Sequence, residues 1–284
     1  MTKAKTLNLG IDVGSTTVKC VVMDDDGHIL FSNYVRHLSK VKGTVISALG
    51  EIRGKLGDVN CRVCFTGSAA LGLAERSHLP FVQEVESAYR CIKCGYPQAD
   101  AAIELGGEDA KIIFITGGLE QRMNGSCAGG TGAFIDQMAT LLHVSLSELD
   151  ELSLSSTTTY PIASRCGVFA KTDIQSIINQ GAKKEDVAYS IFDAVAEQTV
   201  AGLAQGREIT GNVLFLGGPL HFLKGLGKAF KARLNLDDEE AFFPDDAETF
   251  MAKGAAIYAK SMQEPPLSIV DIKTRVEISP NANS

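Results

Sequence analysis

The chain has 284 residues, of which 45% are hydrophobic and 21% are charged, and this balance predicts a globular protein with one large domain or two of ordinary size. Its formal net charge of −7 gives no electrostatic support for binding nucleic acid or a membrane surface. Seven cysteines, an odd number, argue against a disulfide framework; with no signal-peptide core and no apolar run near the ~20 residues of a membrane span, we expect a cytoplasmic protein.

The N-terminal part is predicted to alternate strands, tight turns and helices. Strands are predicted over residues 7–13, 18–23, 29–34 and 62–67, and helices over residues 45–56 and 84–94. The first turn contains a glycine, three hydroxyl residues and then a lysine: Gly14, Ser15, Thr16, Thr17 and Lys19. These groups suit an anion, and Asp12 at the strand end could hold Mg²⁺. An ordinary β-hairpin with a polar turn fits this segment equally well.

A second strand–turn–strand pattern repeats this arrangement. A strand beginning at residue 101 delivers Glu104, the glycines Gly106 and Gly107 follow, and Asp109 precedes a returning strand over residues 112–116. The glycines allow close approach by phosphate oxygens, and the two carboxylates could serve a metal ion, a water or both. Two such patterns suggest duplicated lobes that face one nucleotide.

Two cysteines precede predicted helices. Cys127 lies in a glycine-rich turn before a helical pattern that begins at Phe134, and Cys166 lies before a helical run that ends near Gly181. A helix N-terminus favours the thiolate, which is the form that binds metal. Two thiolates are too few for a four-cysteine iron–sulfur or zinc site, but a two-fold dimer would supply four. The alternative is two small buried cysteines.

Two C-x-x-C pairs are weaker candidates for metal binding. Cys61 and Cys64 lie on a predicted strand, where residues three apart point to opposite faces. Cys91 and Cys94 lie on a predicted helix and could chelate, but the pair lacks an obvious second half. Buried or surface thiols are therefore favoured over zinc.

The C-terminal part contains a long helix, a buried strand and a closing helix. The strand, residues 212–216, ends in Gly217 and Gly218, which could lie flat against a purine or ribose or simply permit a tight turn. The closing helix over residues 248–262 is rich in small residues that permit close packing. We expect residues 263–284 to form a tail or linker.

Three glycine-marked segments, residues 10–19, 104–111 and 216–218, resemble the phosphate 1, phosphate 2 and adenosine motifs of the acetate and sugar kinase, Hsp70 and actin superfamily. With residues 124–132 and Cys166, the chain more narrowly resembles the 2-hydroxyacyl-CoA dehydratase activators of the BadF/BadG/BcrA/BcrD ATPase family, over roughly residues 5–262. It departs from the family pattern at Glu104, where members often carry aspartate, and at Pro219, which removes an N–H.

The resemblance implies an α/β fold with two ribonuclease-H-like lobes, as in actin-like ATPases, and a nucleotide cleft between them. The first lobe would comprise residues 5–100 and 246–262, and the second residues 101–245. We expect Asp12 and Asp109 to hold Mg²⁺ or its waters and Glu104 to orient the attacking water. The residues expected to bind ATP or ADP are Gly14, Ser15, Thr16, Thr17, Lys19, Gly106, Gly107, Gly217 and Gly218.

The resemblance also implies a homodimer that holds one [4Fe–4S] cluster through Cys127 and Cys166 of each subunit. The family role is ATP-driven delivery of one low-potential electron to a partner iron–sulfur dehydratase or reductase, with ferredoxin or flavodoxin as the donor. A small-molecule kinase of the same superfamily is an alternative, although no clear base for an acceptor hydroxyl stands out. A non-catalytic nucleotide-binding regulator is another.

Overall fold

A computed structural model describes residues 6–124, 129–163 and 167–281. The chain divides into two compact units, one formed by residues 98–248 and the other by the segments on either side. Across the described ranges, every helix is too short or too polar to cross a membrane.

The described strands are, in chain order, β1 (Leu7–Val13), β2 (Thr17–Met23), β3 (Ile29–Arg36), β4 (Asn60–Thr66), β5 (Ala101–Leu105), β6 (Ala110–Phe114), β7 (Glu120–Met123), β8 (Val213–Leu216), β9 (Ala241–Phe242) and β10 (Leu267–Ser268). The described α-helices are α1 (Val41–Leu56), α2 (Leu71–Arg76), α3 (Glu84–Gly95), α4 (Gly132–Leu141), α5 (Leu146–Leu154), α6 (Gly167–Asn179), α7 (Lys184–Ala204), α8 (Gly218–Phe222), α9 (Lys224–Leu234), α10 (Phe250–Lys260) and α11 (Ile269–Ile278).

The unit formed by the two ends of the chain contains one mixed sheet in the order β10-β4-β1-β2-β3. β1 is central, antiparallel to β2 and parallel to β4. All seven of its residues are buried, as expected for a strand that is covered on both faces. One face packs on α1, α2 and α11 through a core that includes Ile11, Leu49 and Ile272.

The unit formed by residues 98–248 repeats this plan with the order β7-β6-β5-β8-β9. Here β5 is central, antiparallel to β6 and parallel to β8. Its core includes Ile103 of the sheet and the buried aromatic residues Phe134, Phe192 and Phe230. The repeated strand order confirms the predicted α/β fold of two ribonuclease-H-like lobes.

The small residues of α10 permit close packing, as predicted from the sequence. A Cβ atom added to Gly10 of β1 would come within 1.8 Å of the Ala252 carbonyl oxygen. A Cβ atom on Gly254 would come within 2.0 Å of the Ser87 carbonyl oxygen in α3. These contacts hold α10 against β1 and α3, so larger residues would force the backbones apart.

The segment after residue 262 differs from the tail or linker expected of it. It forms β10, which pairs antiparallel with β4, and then α11. Three α11 residues, Ile269, Ile272 and Val276, are fully buried in the core of the unit that contains β1. Their spacing gives one apolar helical face, and burial of that face outweighs the cost of ordering the segment. This unit therefore includes residues 249–281 rather than ending at residue 262.

Candidate nucleotide site and the segments that carry Cys127 and Cys166

The first hairpin, formed by β1, β2 and the turn at residues 14–16, places a carboxylate opposite an ammonium group. Asp12 and Lys19 are partners in the strand register, and the Lys19 Nζ lies 2.8 Å from the Asp12 Oδ2. The turn is closed by the Gly14 N–H, which donates to the Thr17 carbonyl oxygen at 2.9 Å. The structure thus brings together Asp12, the turn and Lys19, as predicted, although Lys19 is already paired with Asp12.

Gly67, directly after β4, makes room for Asp12. Its φ of +109° suits glycine, and an added Cβ would lie 2.4 Å from the Asp12 Oδ1. The following loop is held by the Ala69 N–H, which donates to the Val13 carbonyl oxygen at 2.9 Å. The sequence analysis missed Gly67, because its role depends on the parallel pairing of β4 with β1.

His37 supports the first turn from the side. Its backbone N–H donates to the Thr16 carbonyl oxygen at 3.0 Å, and its Nε2 lies 3.1 Å from the Gly14 carbonyl oxygen. The Ser39 N–H donates to His37 Nδ1 at 3.1 Å, so Nδ1 is the acceptor and Nε2 carries the proton toward Gly14. His37 therefore holds the turn at two points, through its backbone and through its ring.

The second hairpin, formed by β5, β6 and the turn at residues 106–109, has the same design. Glu104 and Lys111 are register partners, and the buried Lys111 Nζ lies 3.2 Å from the Glu104 Oε2 and 3.0 Å from the Asp109 Oδ2. The Gly106 N–H donates to the Asp109 carbonyl oxygen at 2.8 Å, which repeats the closure of the first turn. Lys111, absent from the predicted site, is the counterpart of Lys19.

Gly217 and Gly218 lie beside the second hairpin. A Cβ on Gly217, whose φ is +92°, would come within 2.1 Å of the Leu105 carbonyl oxygen. Pro219 lies in the first turn of α8, where helical N–H groups have no partner within the helix, so its missing N–H leaves the helix intact. A cavity of about 440 Å³ beside α8 is lined by apolar and charged side chains, including Leu220, Lys224, Lys228, Phe243 and Asp245.

Cys127 and Cys166 lie outside the described residues, and hydrogen bonds hold the described chain on either side of Cys127. Before it, the Ala110 N–H donates to the Asn124 Oδ1 at 2.6 Å. After it, the Gly132 N–H donates to the Gly106 carbonyl oxygen at 3.0 Å, and the Ala133 N–H to the Gly107 carbonyl oxygen at 2.7 Å. The segment that carries Cys127 therefore leaves from the second hairpin and returns to it.

The chain before Cys166 is bound by carboxylates of two helices. The Ala163 N–H donates to the Asp173 Oδ2 of α6 at 2.8 Å. The N–H groups of Thr157 and Thr158 donate to the Asp186 Oδ1 of α7 at 2.8 and 3.0 Å. These bonds lower the pKa of Asp186, because they stabilise its ionised form.

The two C-x-x-C pairs lie in the unit that contains β1, and their members differ in position or burial. Cys61 belongs to the core beneath α1 and α11, and Cys64 to a separate cluster with Ala255 and Ala259 of α10, which confirms that they point to opposite faces. Burial raises the pKa of each thiol to about 12, which disfavours the thiolate that a metal would need. Cys91 is buried and Cys94 is exposed.

Two lobes with one strand order, each with a hairpin that pairs a carboxylate with a lysine beside a glycine turn, define an actin-like ATPase fold. The chain belongs to the BadF/BadG/BcrA/BcrD ATPase family, whose model matches residues 9–259.

Named relatives agree with this assignment. The (R)-2-hydroxyglutaryl-CoA dehydratase activating ATPase of Acidaminococcus fermentans is 33% identical over 216 residues, which cover 74% of this chain and 82% of that protein. The crystal structure of component A of the (R)-2-hydroxyglutaryl-CoA dehydratase of A. fermentans aligns with a TM-score of 0.80 at 29% identity and covers 90% of this chain and 98% of that one. The activator of the 2-hydroxyisocaproyl-CoA dehydratase of Clostridium difficile with bound ADPNP aligns with a TM-score of 0.73 at 28% identity and covers 91% and 99%.

Proposed function

We propose that this protein is an ATP-dependent activator that delivers one electron to a partner iron–sulfur enzyme, a 2-hydroxyacyl-CoA dehydratase or a related reductase. The names of its relatives support the part of this role in which an ATPase activates a dehydratase. The observation that carries it is the set of backbone hydrogen bonds between the second hairpin and the segment that contains Cys127. A phosphate-binding turn that is bonded directly to a cysteine segment has an obvious use in coupling nucleotide to redox chemistry.

The chain's own residues provide the parts that phosphate binding needs. The turns at residues 14–16 and 106–109 would offer backbone N–H groups to phosphate oxygens, the first turn would add the hydroxyls of Ser15 and Thr16, and Asp12 would hold a magnesium ion or its waters. Glu104 and Asp109 provide a second carboxylate pair, whose charge Lys111 balances. The cavity beside α8 has a mixed apolar and polar lining of the kind that suits a base and ribose. In this proposal the protein positions the nucleotide and its water, which is the main protein contribution to phosphoryl transfer.

Cys127 and Cys166 of two subunits would hold one [4Fe–4S] cluster, which supplies a reversible one-electron couple at low potential. Both cysteines precede described helices in the chain, α4 and α6, and a helix N-terminus close to a sulfur would favour its negative charge. Ferredoxin or flavodoxin would be the electron donor.

Nucleotide can influence the cysteine segment only if it binds two conformations with different affinity. The Gly132 and Ala133 hydrogen bonds to the second turn provide the physical route, because a shift of that turn must move the start of α4. A sugar-type kinase does not need a connection between its phosphate turn and a cysteine segment.

The test is an anaerobic count of iron and sulfide per dimer, combined with ATP hydrolysis. We expect about four irons and four sulfides per dimer in the parent protein, and loss of both in C127A and in C166A. The exposed Cys94 provides the matched control, and C94A should retain the cluster. Parent protein that binds ATP but holds no iron after reconstitution would support the kinase or regulator instead.

A further inference from the structure

Thr66, the last residue of β4, has a hydroxyl that the fold itself leaves unpaired. The residue is fully buried, and its Oγ1 has no hydrogen-bond partner among the described residues. An unpaired buried hydroxyl destabilises the folded state, because it loses water without gaining another partner. Such a group can hydrogen-bond to a bound ligand or to an ordered water, and its place in the fold indicates which.

The position of Thr66 indicates where that partner binds. β4 runs parallel to β1, and Thr66 is the register partner of Asp12. Residues at the same register on neighbouring strands point to the same face of the sheet. Gly67 directly follows and lies so close to Asp12 that a Cβ would be 2.4 Å from the Asp12 Oδ1. Thr66 therefore belongs to the immediate surroundings of the Asp12 carboxylate.

The other lobe shows that the fold does not require a hydroxyl at this place. Glu104 is the counterpart of Asp12, and its register partner on β8 is Leu216. Gly217 follows Leu216, has a positive φ and lies in close contact with the backbone at the end of β5, as Gly67 does at the end of β1. Leu216 is fully buried, so the equivalent position is simply apolar in the lobe that contains β5.

We infer that Thr66 is a further contact residue of the nucleotide site, whose hydroxyl hydrogen-bonds to a water held by Asp12 when magnesium nucleotide is bound. A hydroxyl can donate to that water and also accept from it. This inference rests on the proposed function, because it takes the first hairpin as a phosphate and magnesium site. It adds a residue that none of the three glycine-marked motifs contains.

The test uses Thr66→Val, which keeps the shape and removes the hydroxyl, and Thr66→Ser, which keeps the hydroxyl. Ser77→Ala is the matched control, since Ser77 is also buried with an unpaired hydroxyl but lies at the end of α2. Thermal unfolding without nucleotide should show T66V as stable as the parent or more stable. Binding of magnesium–ADP, measured by calorimetry, should weaken about 3- to 30-fold in T66V and stay near the parent value in T66S and S77A.

A magnesium titration of ATP hydrolysis identifies the water. A raised magnesium requirement in T66V assigns it to the metal shell, and a lowered kcat at unchanged magnesium requirement assigns it to the attacking position. Parent-like nucleotide binding and hydrolysis in T66V would overturn the inference, and so would a T66V variant that is destabilised without nucleotide. A parent protein that binds no nucleotide would instead refute the proposed function.

Discussion

Substitution of Lys111 by methionine should destabilise the protein far more than an ordinary surface lysine would. Lys111 lies between the carboxylates of Glu104 and Asp109 at 3.2 and 3.0 Å, and the lysine is only 2% exposed. At an effective dielectric constant of about 20, each contact corresponds to a Coulomb energy of about 5 kcal/mol. Desolvation of the charges offsets much of that attraction.

The net cost of K111M follows from the carboxylates left behind. Removal of one partner from a buried ion pair typically costs about 3–5 kcal/mol, because the remaining charge loses its counter-charge without regaining full hydration. For a unit of this size, that free energy corresponds to a fall in Tm of about 6–20 °C. K231M is the matched control in the same unit, because Lys231 pairs with the almost fully exposed Asp238, and an ion pair screened by solvent contributes little to stability.

The assay is anaerobic thermal and urea unfolding of K111M, E104Q and the double variant. E104Q/K111M should be more stable than K111M, since the amide removes the buried charge that lost its partner. A K111M protein within about 1 kcal/mol of the parent would refute this reasoning. A double variant no more stable than K111M would show that the loss comes from packing rather than charge.

Three further predictions concern the turns and the cysteine segments. H37F removes the hydrogen bonds that the His37 ring makes with Gly14 and Ser39, and it should weaken magnesium–ADP binding, measured by calorimetry, about 5- to 30-fold. Unchanged affinity would mean that the turn keeps its shape without these two hydrogen bonds. G132A places a Cβ 3.1 Å from the Gly106 carbonyl oxygen and 3.2 Å from the Pro219 Cγ, so we expect this variant to transfer fewer electrons per ATP hydrolysed. The control variant G202A, near the exposed end of α7, should keep the parent ratio of electrons to ATP. Equal ratios in the two variants would contradict the coupling route. Hydrogen bonds from Thr157 and Thr158 hold the pKa of Asp186 below its ordinary value of 3.8, so the stabilisation that the ionised Asp186 gives the fold is present above that pH and is lost as pH falls through the lowered pKa. In urea unfolding, D186N should be less stable than the parent at pH 7, and the difference in stability between the two should shrink in acid. A difference that stays constant with pH would exclude ionisation of Asp186 as the cause.

Local patterns were sufficient to predict the two hairpins, because glycine turns between buried strands have strong sequence signals. Partners that depend on strand order were not predictable in the same way. Gly67 lies beside Asp12 only because β4 pairs with β1 in parallel. The local sequence around residue 67 does not predict that pairing. Lys111 carried an available signal, since it follows Glu104 by seven residues, as Lys19 follows Asp12.

The C-terminal segment shows a different limit. Pro265 and Pro266 and the polar end of the chain favoured a tail, yet the apolar residues Ile269, Ile272 and Val276 have the spacing of a buried helical face. The local composition did not predict the helix, because the helix is stabilised by burial of its apolar face against α1, which is distant in sequence. Strand β7 was missed for a similar reason, since its four residues are half-buried or exposed and gain their structure from pairing with β6.

The two hairpins share one design but differ in the contacts that their turns make. The first hairpin has one carboxylate paired with Lys19, and His37 pins its turn, so it is suited to hold its ligand in a fixed position. The second has an additional carboxylate, Asp109, and the carbonyl groups of its turn are engaged by the start of α4. The Gly132 and Ala133 N–H groups of α4 donate to this turn, so the turn cannot shift without moving the start of α4. If nucleotide changes the conformation of the second hairpin, α4 must therefore respond to that change.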